Sequence, residues 1–228
     1  MAIPGPFDYG RGVFLMKHKY AAVYGESFRE LAALPADADV RFIHDVVAVL
    51  QGVLAMSGQA GQDGKPFISG SGRRSDIAVV TLGTGLGFAH TQGGQVQLGP
   101  NGSPARSIYN LPWGDGILED IASARGIRAA YERFGGEKDT SAALIARKAY
   151  AGDERALAAY SLLGETLGDA LAPILEELGI TTLLLGGQIS HSFSLFERPL
   201  CNALEDVKVM PSPEGAVFAG IATLFENE

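Results

Sequence analysis

Cysteine is almost missing from this sequence. Cys201 is the single cysteine in 228 residues. One thiol excludes an internal disulfide framework and a zinc site built from several cysteines. Such a composition is typical of a reducing compartment, and we therefore expect a cytoplasmic protein.

Positive charge and long apolar runs are also scarce. The chain has 18 Lys and Arg against 26 Asp and Glu, which gives a net charge of -8 and no basic stripe for DNA or RNA. No apolar run reaches the roughly 18 to 20 residues that span a bilayer, and the first residues lack a signal-peptide layout. We therefore expect neither nucleic-acid nor membrane binding. The 46% of hydrophobic residues suffice to bury a sizeable core.

Glycine, in contrast, is abundant, with 30 residues that cluster at turns. Two clusters end apolar segments, one running from Asp76 to Gly87 and the other from Ile180 to Ser190. These segments predict buried strands that end in glycine turns, where no side chain prevents a ligand from approaching the backbone amides. Such turns suit phosphates and nucleotides.

Each turn also has a purely structural explanation. The segment from Gly83 to Gly87 is neither a Walker loop nor a full GxGxxG motif, and a tight hairpin also requires glycine there. At Gly186 and Gly187, close packing of a helix entry against a strand also requires small residues.

Strands and helices alternate along the chain, which predicts an α/β fold. Predicted strands cover 40–45, 77–82 and 181–185, with a hairpin formed by 87–91 and 95–98. Predicted helices cover 27–33, 46–56, 120–134, 140–151, 154–178 and 215–225. Residues 57–75 predict a surface loop at a boundary between lobes.

Two carboxylates stand at predicted helix starts. Asp45 follows an apolar strand and precedes an apolar helix, and Glu119 directly precedes a helical pattern. Capping of the helix, or favourable electrostatics at its N-terminus, is the ordinary role of such residues. Neither carboxylate indicates chemistry by itself.

The order and spacing of five segments resemble the ROK family of sugar kinases and repressors, within the actin, Hsp70 and hexokinase superfamily. The first two are Ala2 to Asp8 with Gly12, similar to the family's Ile-Pro-Gly-Pro-x-Asp segment, and Phe42 to Gly52, similar to its Asn-Asp-x-Asn-Ala-Ala-x-x-Gly stretch. The other three are Thr81 to Gly87, similar to its second phosphate turn, Gly116 to Glu119 with Ala122 and Ser123, similar to its sugar site, and Leu185 to Ser190, similar to its adenosine turn.

The resemblance implies a two-lobed, ribonuclease H-like fold of the actin and hexokinase type with an incomplete N-terminal lobe. Residues 1–57 would be the remnant of the small lobe and 76–212 the large lobe, with 213–228 forming a C-terminal helix that packs back on the small lobe. The resemblance also implies a homodimer.

The resemblance further implies phosphoryl transfer from ATP, with Mg²⁺, to a sugar hydroxyl. Asp45 would be the general base. The other implied site residues are Gly83, Thr84, Gly85 and Gly87 at the phosphates, Gly186 and Gly187 at adenosine, and His44, Glu119 and Asn110 at the sugar.

The sequence departs from the family pattern at three places. It contains no Asp-x-Gly-Gly-Thr phosphate turn, so we expect either an N-terminally incomplete kinase or a non-catalytic relative that binds sugar or nucleotide. His44 replaces the usual Asn before the catalytic Asp. The segment from Ser107 to Gly114 replaces the cysteine-rich zinc motif, so no structural zinc is expected, and Tyr109, Asn110 and Trp113 could order this loop instead. A repressor function is not expected, because no helix-turn-helix precedes Pro4 and the charge is acidic.

Overall fold

The computed structural model describes residues 1–17, 21–57 and 76–226. The strands are β1 (Ala2–Ile3), β2 (Phe7–Asp8), β3 (Val13–Phe14), β4 (Ile43–His44), β5 (Ala78–Leu82), β6 (Leu86–Gln92), β7 (Gln95–Val96), β8 (Pro112–Trp113), β9 (Gly116–Ile117), β10 (Thr182–Gly186) and β11 (Lys208–Pro211). The α-helices are α1 (Phe28–Leu31), α2 (Asp45–Met56), α3 (Ala124–Arg133), α4 (Ala142–Tyr150), α5 (Glu154–Leu178), α6 (Glu197–Ala203) and α7 (Ala216–Ala222). The loop predicted at 57–75 lies outside the described residues from 58 onward.

A mixed sheet forms the centre of the molecule. Its strand order is β11-β10-β5-β6-β7. Strand β10 is parallel to both β11 and β5, whereas β6 runs antiparallel to β5 and to β7. Helices α3, α4 and α5 connect β9 to β10, so strands and helices alternate as the sequence predicts. The α/β fold class is confirmed.

Alternate residues of the central strand β5 face opposite sides of the sheet, as strand geometry requires. Ala78, Val80 and Leu82 belong to the apolar cluster that contains the buried faces of α3, α4 and α5. Val79, with Leu184 of β10, belongs to the cluster that contains α2 and the first residue of α7. The sheet is therefore covered by helices on both faces.

Helix α2 is nearly all apolar because it is buried between the sheet and α7. Its buried residues are Val46, Val47, Ala48, Val49, Leu50, Gly52 and Val53. It contacts β5 and β6 on one side and α7 on the other. The division of the chain into lobes at 57 and 212 remains a prediction.

Capping residues explain where helix boundaries differ from the sequence predictions. Ser123 accepts a hydrogen bond from the Gly126 N–H at 3.3 Å, so α3 begins at Ala124 and not at 120. Ser141 caps α4 in the same way, so that helix begins two residues later than predicted. The strand predicted at 40–45 shortens to β4, which pairs in parallel with β1.

The hairpin of β6 and β7 and the 25-residue helix α5 lie where they were predicted. Within 1–17, 21–57 and 76–226, no helix is both long enough and apolar enough to cross a bilayer.

Candidate active site

Three parallel strands end at one edge of the central sheet. β5 ends at Leu82 and enters the Gly83 turn, and the neighbouring β10 ends at Gly186 and enters the Gly187 turn. In register, Gly186 lies beside Thr81, so the two glycine turns are adjacent. The carboxyl ends of parallel strands commonly form ligand crevices in α/β proteins. The two turns singled out by the sequence therefore share one candidate crevice.

In the turn after β5, some backbone amides form hydrogen bonds within the chain and others do not. The Gly83 N–H donates to the Gly85 carbonyl at 3.1 Å, and the Gly83 carbonyl accepts from the Ala124 N–H at 2.8 Å. The N–H groups of Thr84 and Gly85 make no hydrogen bond to the described part of the chain. Thr84 is also exposed. These two amides are the turn's candidates for phosphate contacts, whereas the amide of Gly83 is already bonded.

Gly87 and Gly187 have packing reasons to be glycine. A Cβ at Gly87 would overlap the Thr81 hydroxyl and lie 3.1 Å from Val46 Cβ, in the first turn of α2. A Cβ at Gly187, where φ is +84°, would lie 2.9 Å from the Leu82 carbonyl carbon. A Cβ at Gly83 would meet nothing within 4 Å. Gly87 thus lets the turn approach the N-terminus of α2, and Gly83 faces open space.

The N-terminus of α2 carries Asp45 and His44 beside that turn. Asp45 Oδ1 accepts a hydrogen bond from the Val46 N–H at 2.7 Å and lies 2.7 Å from His44 Nδ1. The side chain of Asp45 is 44% exposed and that of His44 is 14% exposed. His44, and not Asp45, occupies the capping position of α2. One oxygen of Asp45 is therefore fixed by a hydrogen bond, and the carboxylate is still accessible to a ligand.

A buried tyrosine lies close to this pair. The Tyr9 hydroxyl donates to the Ile3 carbonyl at 2.8 Å, and the Tyr9 ring centre lies 5.6 Å from that of His44. Burial, and secondarily the negative charge of Asp45, raises the pKa of Tyr9 well above its ordinary value. Tyr9 therefore stays a neutral hydrogen-bond donor beside Asp45.

Glu119 reaches the same turn from the other side. Its Oε2 accepts a hydrogen bond from the Leu86 N–H at 3.0 Å, and its Oε1 lies 3.6 Å from the Arg125 guanidinium. The Glu119 side chain is 15% exposed. Its backbone N–H donates to the Tyr109 carbonyl at 3.0 Å, which links the loop around Asn110 to this carboxylate. Asn110 itself is exposed.

Comparison with known proteins identifies the relatives of this chain. The model of the ROK family matches residues 114–218. Over these residues the chain is similar to the ROK family. The match includes Glu119, Gly186 and Gly187, whereas Asp45 and the Gly83 turn precede it.

The curated proteins that this chain resembles are sugar kinases. It is 31% identical over 124 residues to an N-acetylmannosamine kinase of Escherichia coli O127:H6, covering 50% of this chain and 42% of the relative. It is 28% identical over 179 residues to a glucokinase of Halalkalibacterium halodurans, covering 68% of this chain and 54% of the relative. The matches thus span about half the length of these curated relatives.

A solved structure supports the same fold. The chain aligns with a ROK family glucokinase from Streptomyces griseus, solved in complex with glucose and AMPPNP, with a TM-score of 0.74 and 18% identity. The alignment covers 100% of this chain and 80% of that one. The fold is the actin and hexokinase type that the sequence motifs indicated.

Three neighbours of the candidate site residues were not themselves singled out as site residues by the sequence. Ser212 follows β11, its N–H donates to the Leu185 carbonyl at 2.8 Å, and its hydroxyl oxygen would lie 3.4 Å from a Cβ at Gly186. Gly5 and Tyr9 contact His44. Ser212 could have been predicted from sequence, because it follows a strand and lies between two prolines. The contacts of Gly5 and Tyr9 with His44 could not, because they depend on the pairing of β1 with β4.

Proposed function

We propose that this chain transfers the γ-phosphoryl group of ATP to a hydroxyl group of a sugar. The observation that carries the proposal is the packing of Gly87 against Val46, because Val46 directly follows Asp45, whose carboxylate is accessible, and the contact joins the start of α2 to the glycine turn after β5. Phosphoryl transfer requires a base and a phosphate-binding group that lie close together. A carboxylate near turn amides that make no hydrogen bond within the chain meets this requirement.

In this mechanism Asp45 accepts the proton of the attacking sugar hydroxyl as the hydroxyl oxygen forms a bond to the γ-phosphorus. The bond from that phosphorus to the bridging oxygen breaks, and ADP leaves. The N–H groups of Thr84 and Gly85, with the Thr84 hydroxyl, donate hydrogen bonds to phosphate oxygens and stabilise the charge of the transition state. Gly83 leaves space in which the phosphates can approach the turn. Gly87 allows the turn to pack against α2.

ATP enters as its magnesium complex, as in other phosphoryl transfers. Mg²⁺ in such sites is held largely by substrate phosphates and water, with one or two protein carboxylates. In the part of the chain that the structure describes, no group of three or more His, Cys, Asp or Glu side chains could hold a metal ion by itself. A cation carried by the phosphates is compatible with that arrangement.

The nucleotide base would lie at the turn after β10. Gly186 is buried, with Ser212, Thr81 and Val49 at 3.4 Å from an added Cβ, so the exposed Gly187 would offer adenosine the accessible backbone of this turn. Gly187 keeps this turn close to Leu82 and therefore close to the phosphate turn.

For the acceptor we propose a hexose or an N-acetylhexosamine, because the curated relatives are named for glucose and N-acetylmannosamine. Glu119 would accept hydrogen bonds from sugar hydroxyls, and Asn110 would add a further contact to the sugar. The homodimeric state and the cytoplasmic location remain predictions.

The test is ADP release measured by a coupled assay, with the sugar phosphate identified by mass spectrometry. The substrates are MgATP with glucose, mannose, N-acetylglucosamine or N-acetylmannosamine, and the control omits sugar. Sugar-dependent ADP release with formation of the matching phosphate supports the proposal. Binding of both ligands without turnover favours the non-catalytic alternative, and binding of neither rejects both.

A further inference from the structure

Both ring nitrogens of His44 have a close polar partner within the chain. The Gly5 N–H donates to Nε2 at 3.3 Å, and Nδ1 lies 2.7 Å from Asp45 Oδ1. A neutral imidazole has one N–H and one acceptor nitrogen. Since Nε2 accepts from Gly5, the proton lies on Nδ1 and is donated to Asp45.

The Val46 N–H could compete for the same nitrogen. It lies 3.4 Å from His44 Nδ1 but 2.7 Å from Asp45 Oδ1. The shorter contact has the ordinary length of a charge-assisted hydrogen bond, whereas the longer one is at the limit of any hydrogen bond. The Val46 N–H therefore belongs to Asp45, and Nδ1 remains free to donate.

The fold fixes the His44 ring in this orientation. Ile3 pairs with His44 in the parallel β1–β4 ladder, which presents the Gly5 N–H to the ring. A Cβ at Gly5 would lie 3.1 Å from Nε2, so glycine allows this close approach. Tyr9, bonded to the Ile3 carbonyl, lies against the ring from another side.

Two donors therefore meet one oxygen of the Asp45 carboxylate. Val46 N–H and His44 Nδ1 both lie 2.7 Å from Oδ1. Oδ2 makes no hydrogen bond to the described residues. The anchored oxygen fixes the rotation of the carboxylate, and the other oxygen is available to a ligand.

We infer that His44 is a positioning residue, which orients the Asp45 carboxylate toward the substrate hydroxyl through its Nδ1–H and does not itself bind the sugar. This inference rests on the proposed function for the role of Asp45, whereas the pairing of His44 with Asp45 rests on the 2.7 Å separation of Nδ1 from Oδ1. With both ring nitrogens engaged inside the chain, His44 has no polar atom left for a sugar hydroxyl.

The hydrogen bond is tested by ¹⁵N–¹H correlation NMR of histidine-labelled protein. The His44 signals are assigned by their loss in His44→Asn. We expect the Nδ1–H tautomer, which is the minor form of free neutral histidine, and a change in the Nδ1 shift in Asp45→Ala. An Nε2–H tautomer, or an Nδ1 shift that ignores Asp45→Ala, overturns the inference.

The positioning role is tested by the kinetics of His44→Phe and His44→Asn. The Phe variant keeps a ring but has no donor, so we expect kcat to fall about tenfold or more while the KM for the sugar changes less than about twofold. The Asn variant keeps an N–H donor and should recover part of that loss. A rise in KM with unchanged kcat shows direct sugar binding and overturns the inference.

His90→Asn is the matched control. His90 is buried, 5% exposed, and pairs with Ala78 at the opposite end of the β5–β6 hairpin from the glycine turn. Its Nδ1 has no hydrogen-bond partner among the described residues, so kcat should be unchanged in this variant. If the wild-type chain phosphorylates no sugar, the proposed function fails, and the tautomer and its response to Asp45→Ala still decide the His44–Asp45 pairing.

Discussion

Gly52 and Gly220 face each other across the contact between α2 and α7, and neither position has space for a methyl group. A Cβ at Gly52 would overlap the Ala216 carbonyl oxygen and lie 2.9 Å from the Gly220 nitrogen. A Cβ at Gly220 would overlap the Ala48 carbonyl oxygen and lie 2.9 Å from the Gly52 nitrogen. The two helices therefore pack backbone against backbone, and α7 holds the helix that begins with Asp45.

Gly220→Ala should destabilise the protein although alanine is the better helix former. The added methyl group must separate α7 from α2, and such overpacking commonly lowers the free energy of unfolding by about 1–3 kcal/mol, which exceeds the ~1 kcal/mol gain in helix propensity. Urea denaturation followed by circular dichroism measures the change.

Ala222→Lys is the control for this prediction. Ala222 is exposed on the same helix, so its change should remain within about 0.5 kcal/mol of wild type. Equal stability of Gly220→Ala and wild type would show that α7 does not pack against α2 in this way.

Asp45→Asn should abolish phosphoryl transfer and spare nucleotide binding. The amide oxygen can still accept from the Val46 N–H, so α2 keeps its first turn, but the group can no longer take a proton. Loss of a general base typically lowers kcat by about 10²–10⁴-fold. We expect such a loss in the coupled assay, with the nucleotide affinity measured by calorimetry changing less than about twofold.

Asp39→Asn serves as its control, because Asp39 is an exposed carboxylate that is paired only with Arg41 in the described structure. Its kcat should match wild type. Turnover that survives in Asp45→Asn would remove Asp45 from the role of base.

The elements of this site could be predicted from sequence because each depends on local pattern. The apolar run before Gly83 and the run before Gly186 indicated buried strands, and the apolar stretch after Asp45 indicated a buried helix. Their adjacency could not be derived locally, because the register of β5 with β10 and the contact of Gly87 with Val46 join residues far apart in the chain. The family resemblance supplied that relationship.

The role of His44 illustrates the limit of motif reasoning. Its position before Asp45 suggested a sugar contact, but the partners of its ring are Gly5 and Asp45. The Gly5 contact exists only because β1 pairs with β4 over a separation of about forty residues. Similarly, Glu119 looked like a helix-start charge, whereas its carboxylate bonds the Leu86 N–H across the turn.

The variants Gly83→Ala and Gly87→Ala should distinguish an effect on ATP affinity from an effect on folding stability. A methyl group at Gly83 meets nothing within 4 Å, so the fold should tolerate it, but it would occupy the space proposed for phosphate. A methyl group at Gly87 overlaps Thr81 and crowds Val46. We expect Gly83→Ala to keep the wild-type melting temperature and lose about tenfold or more in ATP affinity, and Gly87→Ala to lose about 1–3 kcal/mol of stability.

Calorimetric ATP titration and thermal denaturation distinguish the two variants. Gly10→Ala is the control, because a Cβ at this exposed glycine would meet only Asp8 Oδ1, at 3.6 Å. Unchanged ATP affinity in folded Gly83→Ala would reject the turn after β5 as the phosphate contact.

Glu119→Ala should cost more than Glu119→Gln. Alanine leaves the buried Leu86 N–H without its acceptor, and an unsatisfied buried donor costs about 1–3 kcal/mol. Glutamine keeps an acceptor oxygen there and removes the charge near Arg125. Chemical denaturation should therefore rank wild type and Glu119→Gln close together, with Glu119→Ala lower. Equal losses in both variants would mean that charge and not the hydrogen bond holds the turn.

His90 should make the protein less stable at mildly acidic pH. Burial, followed by the nearby Arg106 guanidinium, lowers the pKa of His90 despite the opposing charge of Asp76. The unfolded chain therefore takes up a proton near pH 6.5, where the folded chain still resists protonation. The stability associated with neutral His90 is complete above pH 6.5 and declines as the pH falls from there toward the lowered pKa of the folded state.

One proton can contribute a slope of at most about 1.4 kcal/mol per pH unit to the free energy of unfolding. Asp76 does not contribute in this range, because hydrogen bonds from Gly94, Gly93 and Thr91 outweigh the effect of burial and lower the pKa of its carboxyl below 3.8. Urea denaturation between pH 5 and 7.5 should thus give a smaller slope for His90→Asn than for wild type. His191→Asn, at an exposed histidine, should keep the wild-type slope. Parallel curves for wild type and His90→Asn would show that His90 takes up its proton equally in the folded and unfolded chains, which its buried and unpartnered Nδ1 opposes.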